Sequence, residues 1–421
     1  MLVYKFGGAS IATPENMKAL LPILSEAPSQ VILVVSALGK TTNALEKVVD
    51  AACKGQKAEA TALAKDLEQS HLEYAAALLN PAQLEQLRQA LNEYFTELQW
   101  AIDGAEAARY DYSYDQIVCL GELLSTRIFS FYLNQEGLRF EWVDIRDVIR
   151  TDDTWRDARV DWEYSAQRAT SVIGSRVSAG NHIITQGFIG ATADNASVTL
   201  GREGSDYTAA MLAAMLKADS VTIWKDVEGL QNADPKAFSN TVKIEAISYH
   251  EVIEMAYYGA QVIHPKTIKP LQNNNIPLYV RCFANKDLKG TVIRNEVNSI
   301  FYPPIIVLKK KQALLQVTTR DFSFITQENL KILNGIFQAF KVKVNLMQNA
   351  AISLVACIDH REEQVNALVR ELEQDYNVLL NEDVSLLTIR HYTPEIFRKL
   401  TEDRYILLEQ KTRQTVQVVL K

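Results

Sequence analysis

Leu2-Val3-Tyr4-Lys5-Phe6-Gly7-Gly8-Ala9-Ser10 is the stretch on which the reading of this chain turns. Leu2, Val3, Tyr4 and Phe6 are apolar or aromatic and predict a strand, with a single charge, Lys5, set among them. A lone lysine in a buried strand is costly unless something negative meets it. The strand breaks at Gly7-Gly8, where the missing Cβ atoms let successive backbone N–H groups converge on an anion. Thr13 then predicts an N-cap, with Pro14 at the first helical position and Glu15 in the first turn. Strand, glycine pair and helix N-terminus together hold phosphate, and the Lys5 ammonium supplies the point charge for a transferring phosphoryl group. The same residues also fit a tight βα turn with a snorkelling lysine. No Gly-Lys-Ser/Thr follows, so this is not a Walker A loop.

Around that start, 421 residues suggest two or three domains and bury a sizeable core. Hydrophobic content of 48% and charged content of 23% are ordinary for a soluble globular protein. A net charge of −7 argues against nucleic acid or an anionic membrane as the main partner. No uncharged apolar run approaches the ~20 residues of a membrane span, and the immediate entry into a strand leaves no room for a signal peptide. Cys53, Cys119, Cys282 and Cys357 are far apart and lack metal-site spacing, which suits a reduced, cytoplasmic protein.

Apolar runs alternate with helical periodicity through the first part of the chain. Val31–Ala37 reads as a strand of a parallel sheet covered on both faces. It leads into Ser36-Ala37-Leu38-Gly39-Lys40-Thr41-Thr42, small and hydroxylated residues at the strand edge where ligands of open α/β sheets sit. From about Asn43 to Arg109 the sequence predicts a helical lobe, with Pro81 opening a new helix. A helix over Asp115–Asn134 carries Gly121-Glu122 within an apolar face; that carboxylate either pairs structurally or reads an ammonium group. Strands near Arg139–Val143 and Asn181–Phe188 follow, the second running into Gly187-Phe188-Ile189-Gly190. In Gly201-Arg202-Glu203-Gly204-Ser205-Asp206, glycines flank an arginine just before an alanine-rich helix, an arrangement suited to a carboxylate or phosphate. An N-cap serine with a first-turn aspartate explains Ser205 and Asp206, but not the Gly-Arg-x-Gly that precedes them.

Strand Ser220–Val227 ends in Trp224-Lys225-Asp226, with Asp234-Pro235-Lys236 in a turn beyond. Ser248 and Glu251 predict a capping box for a helix closing at Gly259, and His264 reads as a capping residue rather than a catalyst. Strand Pro277–Phe283 completes the α/β pattern, and Gly290–Ile300 reads as the exit. Past Tyr302 the pattern becomes a repeat of small ferredoxin-like units. The first has strands Leu314–Thr319, Lys343–Met347 and Ala351–Ile358, with helices Glu328–Phe340 and Arg361–Tyr376. The second has Val384–Arg390, helix Pro394–Thr401, Ile406–Glu409 and Thr415–Leu420.

In this order the motifs resemble those of the aspartate kinases, members of the amino acid kinase family with a C-terminal tandem ACT region. Lys5-Phe6-Gly7-Gly8 is similar to the family's opening signature, Ser36 to Thr42 to its substrate loop, and Gly121-Glu122 to its glycine–glutamate pair. Gly187–Gly190 with Gly201–Tyr207 resembles its long glycine-rich signature, and Asp226 to Lys236 its nucleotide loop. The resemblance implies an α/β fold: a three-layer αβα, carbamate kinase-like amino acid kinase domain over 1–300, with the helical lobe at about 43–110. α+β ferredoxin-like ACT repeats would follow over 301–421. The first unit would span about 305–383 together with the C-terminal strand, and a shortened second unit about 384–412.

The implied activity is transfer of the ATP γ-phosphate to the side-chain carboxylate of L-aspartate, giving 4-phospho-L-aspartate, the family's first step toward lysine, threonine and methionine. Lys5 and Asp206 would be catalytic. Ser36, Thr42, Glu122, Arg202 and Ser205 would hold aspartate, Glu122 facing its ammonium and Arg202 a carboxylate. Lys5, Phe6, Gly7, Gly8, Lys225, Asp226, Gln231, Lys236, Gln261 and Val262 would serve the nucleotide. Mg2+ would ride largely on phosphate oxygens and water rather than on protein side chains. ACT units would pair between chains in a homodimer or larger homo-oligomer and take an amino-acid effector.

The chain departs from the family pattern at several positions. Ala9 replaces a hydroxylated residue, Glu203 a glycine and Gln261 a lysine, while Gln231 stands where a tyrosine often stacks. Glu203 could pair with Arg202 or repel an anion, and Lys225 and Lys266 could restore charge near the nucleotide. Glu328 and Asn345 stand where lysine-inhibited relatives tend to have glycine and aspartate. These departures motivate a competing expectation, a catalytically weak amino-acid-sensing protein that keeps the kinase fold.

Overall fold

A computed structural model describes residues 1–260, 263–295 and 302–421. Gln261 and Val262, expected at the nucleotide, and the end of the exit segment at Ile300 lie outside the described residues. The chain forms two compact units. The first comprises Met1–Leu230, Glu245–Ile253 and Val262–Asn298; the second comprises Gln231–Ile244, Glu254–Gln261 and Ser299–Lys421. The division differs from a simple cut at residue 300, because 231–244 and 254–261 group with the second unit.

The first unit is built on β1 (Leu2–Phe6), β2 (Val31–Val35), β3 (Phe140–Val143), β4 (His182–Gln186), β5 (Ile189–Ala191), β6 (Ser197–Thr199), β7 (Ser220–Lys225), β8 (Ala246–Ser248), β9 (Leu278–Cys282) and β10 (Thr291–Arg294). Eight of these form one sheet in the order β3-β4-β2-β1-β7-β9-β10-β8, parallel except at β9/β10. β1 sits between β2 and β7, so the Lys5 segment is central in the sheet. Every residue of β2 is buried, as expected for a strand with both faces covered. β5 and β6 make a separate hairpin that the sequence did not announce, closed through Thr192 and a left-handed Asn195.

Helices α1 (Pro14–Ala19), α2 (Leu21–Ser25), α3 (Thr41–Cys53), α4 (Lys57–Ala76) and α5 (Pro81–Gly104) come next, α1 and α5 starting at the prolines where helix starts were expected. Thr13 Oγ1 accepts from Asn16 N–H and Asn80 Oδ1 from Gln83 N–H, so each proline sits at a capped helix start. The single helix expected over Asp115–Asn134 is two, α6 (Tyr110–Val118) and α7 (Leu120–Gln135), interrupted at Cys119. Then come α8 (Trp162–Arg168), α9 (Ser175–Ser178), α10 (Gly204–Leu216), α11 (Tyr249–Tyr258, which continues into the second unit) and α12 (Pro265–Asn273). His264 caps α12, its Nδ1 accepting from Lys266 N–H at 3.2 Å. The segment read as an exit from Gly290 begins with the strand β10, because Thr291–Ile293 pair with β9.

The second unit carries one antiparallel sheet in the order β12-β13-β11-β14-β16-β15. Its strands are β11 (Ile305–Thr319), β12 (Val344–Asn349), β13 (Ser353–Asp359), β14 (Tyr376–Arg390), β15 (Ile406–Lys411) and β16 (Thr415–Leu420). Both ferredoxin-like repeats are present, but they share their longest strands. The C-terminal half of β11 pairs with β13 and with the start of β14; its N-terminal half pairs with the end of β14. Register shifts near Lys309 and Gln312, and left-handed Lys311 and Asp383, mark the seam. The expected grouping of the C-terminal strand with the first repeat is therefore corrected. β16 lies between β14 and β15, and the second repeat borrows Ile305–Lys309 to complete itself. Helices α13 (Gln327–Ala339) and α14 (Glu362–Leu372) cover the first repeat, packing Leu333, Phe337, Val365 and Leu368 on Leu315, Val317 and Ala356. The partly buried Ile396 and Phe397 of α15 (Pro394–Thr401) pack on Leu387, Ile389 and Val416 in the second.

Candidate active site

A cleft of about 480 Å³ opens in the first unit, lined by Lys5, Ser36, Thr42, Glu122, Arg202, Ser205, Asp206 and Lys225 among others. The expected catalytic and substrate residues thus converge from four stretches of the sequence. β1 brings Lys5. The Ser36 loop follows β2, and its close approach to β1 requires Gly8, where a Cβ would stand 2.8 Å from the Ala37 carbonyl. α7 brings Glu122, and the neighbouring Gly121 lets that helix press on Ala37, Leu45 and Thr41.

Lys5 is buried, and its Nζ meets Asp206 Oδ1 at 2.6 Å. The lone charge in the strand is thereby answered from the first turn of α10. Ser36 Oγ donates to Ser205 Oγ at 3.0 Å and joins the two loops that face the cleft. Ser205 is not the cap of α10: Glu203 holds that position with φ +55, leaving Ser205 in the first turn. Gly187 is needed here, since a Cβ on it would come within 2.5 Å of Ser205 Cβ.

Glu122 is the least satisfied group of the site. Oε1 accepts a 3.3 Å bond from Ala37 N–H, while Oε2 is buried without a hydrogen-bond partner. Burial pushes its pKa up to about 8, against smaller lowering effects of the backbone bonds and the Lys5 charge. A buried carboxyl oxygen in a native structure ordinarily has a partner, and this one has none from the protein. Glu203, which could have blocked Arg202, does not meet it. Its Oε2 accepts from His264 N–H at 2.9 Å, so its charge is spent at the start of α12.

Several expectations about the nucleotide side are corrected or relocated. Phe6 is fully buried and stacks on Trp224, with ring centroids 6.1 Å apart. Strand alternation turns its ring into the core when Lys5 faces the cleft, so no Phe6 side-chain contact with a nucleotide is available. Gly7 lies against Lys5, where a Cβ would stand 3.4 Å from Nζ. Asp226 is exposed just past β7. Gln231 and Lys236 belong to the second unit, where Gln231 bridges to Lys243 and Lys236 N–H donates to Asp234.

Arg156, Tyr114, Phe188 and Thr199 also line the cleft and were not singled out from sequence. Phe188 carried a signal, standing between two glycines, and its φ of +71 turns the chain into the hairpin. Arg156 carried none, lying in a polar turn without pattern.

Such a site sets a buried lysine–aspartate pair and a half-bonded buried glutamate in one cleft, at the C-terminal edge of a parallel sheet. The chain belongs to the amino acid kinase family, whose model matches residues 1–282. Within it, the chain groups with the aspartokinases. It is 31% identical over 363 residues to lysine-sensitive aspartokinase 3 of Escherichia coli, spanning 85% of this chain and 78% of that one. Two structures of E. coli aspartokinase III superpose with TM-scores of 0.82 and 0.81 at 27% and 26% identity. They cover 100% of this chain and 95% and 96% of theirs; one is a complex with lysine and aspartate, the other with aspartate and ADP. Of the longer bifunctional aspartokinase/homoserine dehydrogenases of maize and Arabidopsis thaliana, the chain spans 32% and 42% of the length.

Proposed function

We propose that this chain is an aspartate kinase, an ATP-dependent phosphotransferase acting on the side-chain carboxylate of L-aspartate. The observation that carries the reading is the buried, half-satisfied Glu122 in the same cleft as the Lys5–Asp206 pair. A small molecule with an ammonium at one end and a carboxylate to be phosphorylated at the other satisfies both.

Glu122 takes the ammonium, and Arg202 takes the α-carboxylate with the planar donors of its guanidinium. Thr42, Ser36 and Ser205 supply hydroxyls along the cleft. The β-carboxylate is already ionised at neutral pH, so no general base is needed. One of its oxygens attacks the γ-phosphorus in line, the bond to the bridging oxygen breaks, and ADP departs with that electron pair. Lys5 offsets the charge on the transferring group, while Asp206 holds its ammonium in position until the phosphates arrive. Gly7, Gly8 and Lys225 serve the nucleotide in this reading. Mg2+ would be supplied on the ATP phosphates, with charge neutralisation as its chemistry. The donor set fits that role: Asp206, beside Lys5, is engaged in an ion pair, and Mg2+ keeps phosphate and water ligands.

The second unit would take an amino-acid effector and pair with a second copy. Phe322, Phe324 and Leu379 remain exposed on it, which suits a homodimer or larger assembly. A cytoplasmic location would keep its four free cysteines reduced. The test of the activity is ADP release across aspartate, glutamate and N-acetylglutamate, with hydroxylamine trapping of the acyl phosphate. Turnover and hydroxamate with aspartate alone support the reading; turnover with N-acetylglutamate in its place overturns it.

A further inference from the structure

Arg156 is the residue of the cleft whose presence the fold explains least. It is not glycine, yet its backbone sits in the left-handed region with φ +68. Side chains tolerate that region poorly, and such positions persist where the surroundings enforce them and function uses them. Here the enforcement is visible. The Arg156 N–H donates to Asp115 Oδ2 at 3.0 Å, and Asp115 is fully buried. The same carboxylate accepts from Thr199 N–H at 3.0 Å and from Thr199 Oγ1 at 2.7 Å. Asp115 therefore ties the turn that carries Arg156 to the strand that leads into Gly201-Arg202.

The side chain is steered as well. Its guanidinium lies 4.3 Å over the Tyr114 ring, and both residues line the cleft. Its ion pair is with Asp111, at 3.2 Å through one nitrogen and in an exposed position. An exposed pair of this kind holds weakly and exchanges for a better anion. A guanidinium has five donors in a rigid fork, so this contact leaves donors for a ligand.

We propose that Arg156 is a specificity-determining residue of the substrate site, a second guanidinium that grips the α-carboxylate of the amino-acid substrate alongside Arg202. Asp115 is the positioning residue that holds the two arginines in register. The assignment rests on the aspartate kinase reading of the same site. The cleft then distinguishes its substrate by three charges: Glu122 reads the ammonium, two arginines read the α-carboxylate, and Lys5 faces the carboxylate that reacts.

The test compares L-aspartate with its α-amide, which keeps the ammonium and the β-carboxylate but lacks the α-carboxylate charge. Arg156→Gly suits the observed φ and leaves the backbone bond to Asp115 in place; Arg156→Lys keeps charge without the fork. Arg156→Gly is expected to raise the KM for aspartate about tenfold, the weight of one lost hydrogen bond to a charged group. The KM for ATP and kcat should stay within about twofold, and the lysine variant should fall between. Affinity for the α-amide, measured as inhibition of aspartate turnover, should not change in either variant. An unchanged aspartate KM, an equal rise in the ATP KM, or an equal loss for the α-amide overturns the assignment. A wild-type chain that makes no acyl phosphate from aspartate overturns the kinase reading itself, and the assignment with it.

Discussion

Replacing Glu122 with glutamine should make the empty protein more stable and the enzyme worse, and the gain in stability should depend on pH. The Glu122 carboxyl has a pKa of about 8 in the folded protein against an ordinary value of 4.5. Between those values the folded state keeps a proton that the unfolded chain has released. Stability therefore falls as pH rises through the window from 4.5 to 8, and the loss is complete above it. At about 1.4 kcal/mol per pKa unit, the fall between pH 5.5 and 8.0 comes to about 3 kcal/mol. Glutamine cannot ionise and escapes it. Other groups also titrate in this range, including Asp115, which burial pushes up to about 6. The quantity to read is thus the difference between variant and wild type, in which their contributions cancel.

Urea unfolding at the two pH values measures that difference. Trp100, Trp142, Trp155, Trp162 and Trp224 all lie in the first unit, so tryptophan fluorescence follows the unit that contains Glu122. The variant should gain on wild type by about 3 kcal/mol on going from pH 5.5 to 8.0. In kinetics the same substitution should raise the KM for aspartate at least about tenfold, since an interaction with a charged group is worth roughly 1.5–3 kcal/mol. The KM for ATP should stay nearly constant. A stability difference independent of pH would refute the reasoning, because Glu122 would then already have its partner inside the protein. Equal changes in both KM values would assign Glu122 a structural role.

Lys5→Ala should lower kcat on the order of 10²–10³, the usual loss for one preorganised charge-stabilising group. Stranding Asp206 would itself cost about 3–5 kcal/mol, so the Lys5→Ala/Asp206→Asn double variant, checked by thermal melting, keeps the fold while the activity stays lost. More than about half of wild-type turnover in Lys5→Ala would dismiss the phosphate-site assignment. Glu203→Gly should alter the KM for aspartate by less than about twofold, because its carboxylate serves His264 N–H and its φ of +55 suits glycine; steady-state kinetics decide it. In the second unit, Asn345 donates at 2.7 Å to both Gln312 and Asp359 and accepts from Lys309 at 2.8 Å. A lysine of the chain itself already occupies that polar cluster, so free lysine should bind weakly or not at all. Calorimetric titration of the intact protein with lysine and threonine tests this, and micromolar lysine binding that needs Asn345 would count against it.

What could be read in the sequence was whatever one short segment determines by itself. β1, its glycine pair and the capped start of α1 were legible because strand alternation, missing Cβ atoms and the Thr13-Pro14 cap act within fifteen residues. Lys5 was legible as a charge in want of a partner, yet only the fold names Asp206 as that partner, 201 positions later. Glu122 stood between two meanings for the same reason: an acid on an apolar helix face has the same sequence whether or not a second charge meets it. In the structure Oε1 accepts from Ala37 N–H and Oε2 is buried and unbonded, an observation no sequence pattern carries.

Arg156 was beyond reach altogether, because its backbone N–H and its guanidinium are placed by Asp115 and Tyr114, on a helix far from it in sequence. The sequence shows only the parts of the two long strands from Leu314 and from Val384 onward, because the chain turns left-handed at Lys311 and Asp383, where the pairing shifts register without ending. The borrowed strand Ile305–Lys309 follows from that shift. One continuous sheet lets two repeats exist where the sequence has too few strands for two complete units. It also sets Lys309, Gln312 and Asp359 beside Asn345 at the seam. Any ligand that separates those four groups must disturb the seam that both repeats share.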